Sequence, residues 1–450
     1  MDFNRRVFLK SLGMGTAACL LSSGGLPRLA RGQAAGEVGR NFIFCYFSGG
    51  WDTLLGLDPR DPGVFTEDRV GQTRIQLAWD RLPVGFSQTI IQPRGSNIGF
   101  GPAAESFARH FDKSCVVRGV SMDTLTHEVG RRYFITGLAP RGLSAAGSSM
   151  GTRIVAQQGD LSPIPHLVAR VESYNEGDPA FASGMSVNSV TDLITALADG
   201  PQAPAGAVRA RLDEYRQRRQ GCDPAASNAR GFLTLIEETQ FKARELVVGG
   251  FNRRFQFTNA NDPEMVALSA RYGITNLAGA ESQAAMAFQA LKYGIAQSVT
   301  IELASGLDTH DNTWETDQAP NQAIGFSALA TLVDDLAAEP HPEGGVLLDH
   351  TTIVCFSEFG RTPTLNSRDG RDHSLSSSAL MIGAGVPHNK VVGATSDVAM
   401  NPRAVDPSTG EPVESGGVTL SPTLVLASAM ASAGLNTDAL RVDGLPCLMA

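Results

Sequence analysis

Residues 42–52 read Phe42-Ile43-Phe44-Cys45-Tyr46-Phe47-Ser48-Gly49-Gly50-Trp51-Asp52. The run to Phe47 is apolar or aromatic at every position. A strand with a solvated face alternates, whereas one covered by helices on both faces reads continuously apolar. Gly49 and Gly50 then allow a sharp turn, and Asp52 follows it. Ligands of open α/β sheets gather beyond the carboxyl ends of the strands, so a carboxylate here is a candidate site residue.

Similar short apolar runs recur at 114–120, 165–171, 298–303, 351–356, 379–383 and 390–393. Between them lie helical patterns at 207–219, 231–247, 263–272, 281–293 and 321–338, the last stopped by Glu339-Pro340. Strand–helix alternation predicts an α/β fold, a three-layer sandwich with a central, mostly parallel sheet between helices. Two stretches look inserted. Residues 140–230 are rich in Gly, Ala, Ser and Pro, and residues 402–420 read as a surface loop. One domain over 36–450, with a helical insertion around 140–260, is the expected organisation.

The N-terminus carries an address. Asn4-Arg5-Arg6-Val7-Phe8-Leu9-Lys10 precedes a weakly apolar run broken by Gly13, Gly15, Gly24 and Gly25, then small residues at Ala30, Gly32, Ala34 and Ala35. This is the pattern of a twin-arginine signal peptide over 1–35, too short to span a bilayer, with the twin-arginine translocase as partner and the periplasm or exterior as destination. Cys19 lies inside the apolar region, which argues against a lipid anchor there.

The chain has 450 residues and a formal charge of −9, and removal of 1–35 takes it to about −13. So acidic a protein is a poor general binder of nucleic acid or anionic membrane. An anionic ester substrate would need positive charge supplied locally, and a metal would supply it. Cys45, Cys115, Cys222, Cys355 and Cys447 survive processing without zinc-type spacing and read mainly as buried thiols. A Cys222–Cys447 bridge is permitted by an exported location.

Three further segments place chemistry beyond strands. Asp308-Thr309-His310 puts a carboxylate and an imidazole on one side of an extended loop, a pairing that suits zinc, manganese or iron. Ser357-Glu358-Phe359-Gly360-Arg361 follows the strand at 351–356, and Asp372-His373 closes a loop that also holds Asn366, Asp369 and Arg371. A nucleophile is sought in Ser121-Met122-Asp123-Thr124-Leu125-Thr126-His127-Glu128. There Thr126 beside His127 is the first candidate and Thr124 the second, because a hydroxyl at a helix start meets the positive end of the helix dipole. Asp123 or Thr124 equally reads as a plain N-cap.

Taken together, the twin-arginine head, Gly49-Gly50-Trp51-Asp52, Asp308-Thr309-His310, Ser357-Glu358-Phe359-Gly360-Arg361-Thr362-Pro363 and Gly370-Arg371-Asp372-His373 resemble domain-of-unknown-function family 1501. That family is similar to the alkaline phosphatase/sulfatase superfamily, whose mainly parallel sheet holds one or two divalent metals at its rim beside a Ser, Thr or modified Cys nucleophile. The resemblance implies Asp52, Asp308, His310, Glu358, Asp372 and His373 as ligands of a divalent metal (zinc, manganese, calcium or magnesium). The expected catalytic groups are Thr126 and His127, with Arg361 or Arg371 helping to bind the anion. Glu358 stands where the superfamily usually has an Asp-His pair. Thr126 and Glu128 stand in place of the Ser and Phe of a Ser-His-Phe stretch. The expected function is exported, metal-dependent hydrolysis of phosphate or sulfate esters. The alternative is a non-catalytic exported binding or assembly module on the same fold.

Overall fold

A computed structural model describes residues 39–199, 206–219, 246–247 and 249–450. The signal peptide, Cys19, Cys222 and most of the helix expected over 231–247 lie outside the described residues.

Eight strands form one sheet: β1 (Asn41–Phe47), β2 (Ser114–Ser121), β3 (His166–Ala169), β4 (Met185–Val187), β5 (Ser298–Ala304), β6 (Thr351–Phe356), β9 (Ser376–Gly383) and β10 (Lys390–Val392). A separate two-stranded ribbon pairs β7 (Gly360–Arg361) with β8 (His373–Ser374). Spatial order in the large sheet is β10-β2-β9-β6-β1-β5-β3-β4. Every neighbouring pair is parallel except those of β9, which runs against both β2 and β6.

β1 sits centrally and sorts its side chains by alternation. Ile43, Cys45 and Phe47 enter one core with the helices Ala280–Lys292 and Ala319–Ala338. Phe42, Phe44 and Tyr46 enter the other, with residues of the helices His127–Thr136, Met150–Gln158 and Pro422–Ala431. Both faces of the sheet are therefore helix-covered, which makes the three-layer α/β sandwich the sequence predicts.

Each strand predicted from an apolar run is present. β4 is an addition, a three-residue strand at the sheet edge too short to stand out in sequence. The 140–260 stretch contains β3 and β4 as well as helices, and Gly206–Arg219 is helical with exposed Val208, Leu212 and Tyr215. No helix among the described residues is long and apolar enough to cross a membrane.

The topology concentrates chemistry at one rim. β1, β5 and β6 are parallel neighbours, so Ser48, Asp308 and Glu358 all follow carboxyl ends at the same edge. Two antiparallel steps through β9 give β2 the direction of β6, so the turn leading to His127 opens there too. Reversed β9 begins at that rim, immediately after His373.

Candidate metal centre

Three histidines meet at the rim, each with one ring nitrogen clamped by oxygen. His127 Nδ1 lies 2.8 Å from Glu358 Oε1, His310 Nδ1 2.8 Å from Asp372 Oδ1, and His373 Nδ1 2.7 Å from the Leu125 carbonyl oxygen. A ring that is neutral and donates from Nδ1 to that oxygen has its lone pair on Nε2. All three Nε2 atoms surround one carboxylate oxygen. Asp308 Oδ1 is 3.4 Å from that of His127, 3.0 Å from that of His310 and 3.3 Å from that of His373.

In that tautomer the contacts put acceptors against acceptors. The Nε2 atoms of His310 and His373 are only 2.9 Å apart, and His127 Nε2 is buried without a hydrogen-bond partner. Protons or a cation must occupy such a group. The potential ligand atoms of His127, Asp308 and His373 all lie within 4.8 Å of one another, so these three residues could hold a metal ion. Two imidazoles and a carboxylate suit zinc or manganese better than calcium or magnesium.

The supporting residues explain the convergence. Glu358 is 1% exposed, and its Oε1 also accepts from the Gly49 backbone N–H at 2.9 Å, while Oε2 accepts from Ser357 Oγ at 2.9 Å. The carboxylate expected as a ligand thus holds the glycine turn, Ser357 and the His127 ring. Asp372 does the same for His310, with Asn366 Nδ2 donating to its Oδ1 at 3.0 Å. A carboxylate or carbonyl behind the ligating histidine is the usual way a metal site fixes tautomer and ring orientation.

Asp52 stands apart. Its carboxylate accepts from Trp314 Nε1 at 2.9 Å and the Leu54 backbone N–H at 3.1 Å, and its Oδ2 lies 3.2 Å from Nε of fully buried Arg371. Asp52, expected as a ligand, sits here in a buried ion pair that pins the turn after β1. Neither Trp314 nor Arg371 is near it in sequence.

Two glycines permit close approaches. A Cβ at Gly130 would strike the Glu358 carbonyl oxygen, so only glycine lets the helix His127–Thr136 lie against the end of β6. A Cβ at Gly370 would strike the backbone of His310 and Asp311, so the loop carrying Asp372 and His373 also packs through a glycine. Gly130 was not singled out in sequence, although a glycine inside a helix costs stability and so asks for a reason.

Thr126 is the N-cap residue of the His127–Thr136 helix, exposed and without a side-chain capping bond. Its neighbours are tied down on both sides, Leu125 through its carbonyl to His373 and His127 through its ring to Glu358. Thr126 is therefore held in the chain between two residues that touch the centre. Asp123 and Thr124, the N-cap alternatives, precede the cap.

Arg361 is fully committed. Its Nε donates to the Gly50 carbonyl at 3.1 Å and its Nη2 to the Gly49 carbonyl and to Asp308 Oδ1, the latter at 2.6 Å. Its Nη1 donates to the Arg371 carbonyl at 3.0 Å and lies 3.4 Å from His310 Nε2. A guanidinium has five N–H groups, and all five are accounted for. Arg361 supplies fixed positive charge with no free donor.

The charges are mutually adjusted. Burial works to raise the Asp308 pKa, but the Arg361 hydrogen bond and charge, with His127 and His373, hold it at about 2. Burial works to lower that of His127, but Glu358 and then Asp308 outweigh it and raise the value. Burial, with the charges of Arg361 and His127, lowers that of His373.

The family model described as "Protein of unknown function (DUF1501)" matches residues 39–409. No curated protein matches the chain in sequence. Among solved structures, Ps i-CgsB in complex with k-i-k-neocarrahexaose aligns over 91% of this chain and 75% of its own at 10% identity and a TM-score of 0.38. The lipoteichoic acid synthase LtaP from Listeria monocytogenes aligns over 89% and 73% at 7% identity and a TM-score of 0.34.

Proposed function

The chain belongs to the family described as protein of unknown function (DUF1501), and from that premise we propose that it is an exported, metal-dependent hydrolase of phosphate or sulfate esters. One observation carries the reading: three imidazoles, each clamped at Nδ1, turn Nε2 toward Asp308 Oδ1 at 3.0–3.4 Å. His127, Asp308 and His373 would hold the cation, which when bound supplies Lewis-acid stabilisation of charge developing on the ester.

The chain's own groups do the rest. Thr126 Oγ1 attacks phosphorus or sulfur, the ester oxygen departs, and the threonine proton ends on the leaving alcohol. Water then releases the inorganic anion and restores the hydroxyl. Free backbone N–H groups in the first turn of the His127–Thr136 helix face the anion, a placement that helix N-termini favour. They take the anion-binding part first expected of Arg361, whose donors are spent.

Export rests on Arg5-Arg6 and the small-residue exit that follows. The deciding experiment uses aryl phosphate and aryl sulfate with zinc or manganese added. Turnover that falls by about a thousand-fold or more in Thr126→Ala and survives in Thr126→Ser fits the scheme. Cation binding without turnover of either ester would favour the binding-module alternative.

A further inference from the structure

We infer that the centre holds a single divalent cation and that the Arg361 guanidinium occupies the place where a second would sit. This rests on the metal-dependent reading above and fixes the number of ions. Arg361 reaches the same Asp308 Oδ1 that the three Nε2 atoms face, at 2.6 Å, and its Nη1 lies 3.4 Å from His310 Nε2. A cation bridging Asp308 and His310 on that side would need both contacts. The guanidinium already has them, with its side chain fully buried and its other N–H groups locked on the carbonyls of Gly49, Gly50 and Arg371.

Among the described residues, the neighbouring acids are engaged elsewhere. Glu358 has both oxygens engaged by Gly49, His127 and Ser357, and Asp52 is paired with Arg371 and Trp314. Asp372 Oδ1 is held by His310 and Asn366. Charge points the same way. A second dication would enter beside a positive group fixed by its hydrogen bonds, and like charges repel.

The test strips the full chain of metal with a chelator, adds excess zinc, removes loose ions by gel filtration, and measures zinc per chain by plasma mass spectrometry. One ion per chain is expected, lost in Asp308→Asn. Two ions per chain, both lost in that variant, would overturn the inference and leave the metal reading standing. No retained ion would overturn both. Arg361→Lys keeps the charge and Arg361→Gln removes it. The Gln variant should bind zinc about ten-fold or more tighter than the Lys variant. Equal affinity would contradict a charge role for Arg361, and if either variant fails to fold the wild-type stoichiometry still decides.

Discussion

His127 Nδ1 and Glu358 Oε1 lie 2.8 Å apart, although 231 residues separate them in the chain. That bond turns the other ring nitrogen of His127 toward Asp308, so the Glu358 carboxylate sets where that nitrogen points. Glu358→Gln keeps size and loses the charge that fixes the tautomer. Zinc affinity measured by titration should fall about ten- to hundred-fold. A variant with unchanged affinity would show that His127 is not oriented from behind.

Asp52 provides the contrast. Its partner Arg371 is fully buried, so Asp52→Ala leaves a guanidinium without its counter-charge, a loss that typically costs about 3–5 kcal/mol. The midpoint of chemical denaturation should drop accordingly, while the zinc retained per folded chain stays the same. Loss of zinc from a folded Asp52→Ala protein would restore the ligand role read from the sequence.

Gly130→Ala forces a methyl group against the Glu358 carbonyl oxygen and pushes the His127 helix off the end of β6. Overpacking of this kind costs about 1–3 kcal/mol. Because the helix start carries both Thr126 and His127, zinc affinity should fall together with stability. Thermal melting with and without zinc separates the two effects.

How much of this was legible beforehand follows from the kind of signal each part leaves. β1 and β6 are doubly buried, and their uninterrupted apolar runs mark them within the sequence itself. The His127–Thr136 helix lacks such a mark, because Gly130, Arg131 and Arg132 break its apolar face. Asp308, His310, Asp372 and His373 stand out as acid–imidazole pairs beyond strands. Their division of labour does not, since whether a carboxylate touches a cation or braces an imidazole depends on partners brought in by the fold. Asp52 and Glu358 look alike as strand-end acids, and only the arrival of Arg371 at one and His127 at the other separates them.

The same helix gives a pH prediction. Arg131 and Arg132 both reach Glu172, with Nη2–Oε1 distances of 3.0 Å, and the Tyr174 hydroxyl donates to Glu172 Oε2 at 2.8 Å. Burial works to raise the Glu172 pKa, but Arg132, Arg131 and Tyr174 outweigh it and lower it from 4.5 to about 2. A depressed carboxyl stabilises the fold fully above its unfolded value and loses that contribution as pH falls through the folded one. Stability should therefore decline between pH 4.5 and about 2 more steeply in the wild type than in Glu172→Gln. Parallel pH profiles of the two proteins would refute the assignment.

The claim that imidazoles and Asp308 cage a cation is tested most directly by anomalous scattering at the zinc edge from crystals grown with zinc. One strong peak should lie among His127 Nε2, Asp308 and His373 Nε2, at about 2.0–2.2 Å from each ligand atom. No peak at the rim, or a peak held by other residues while these three side chains keep their present contacts, would contradict the account.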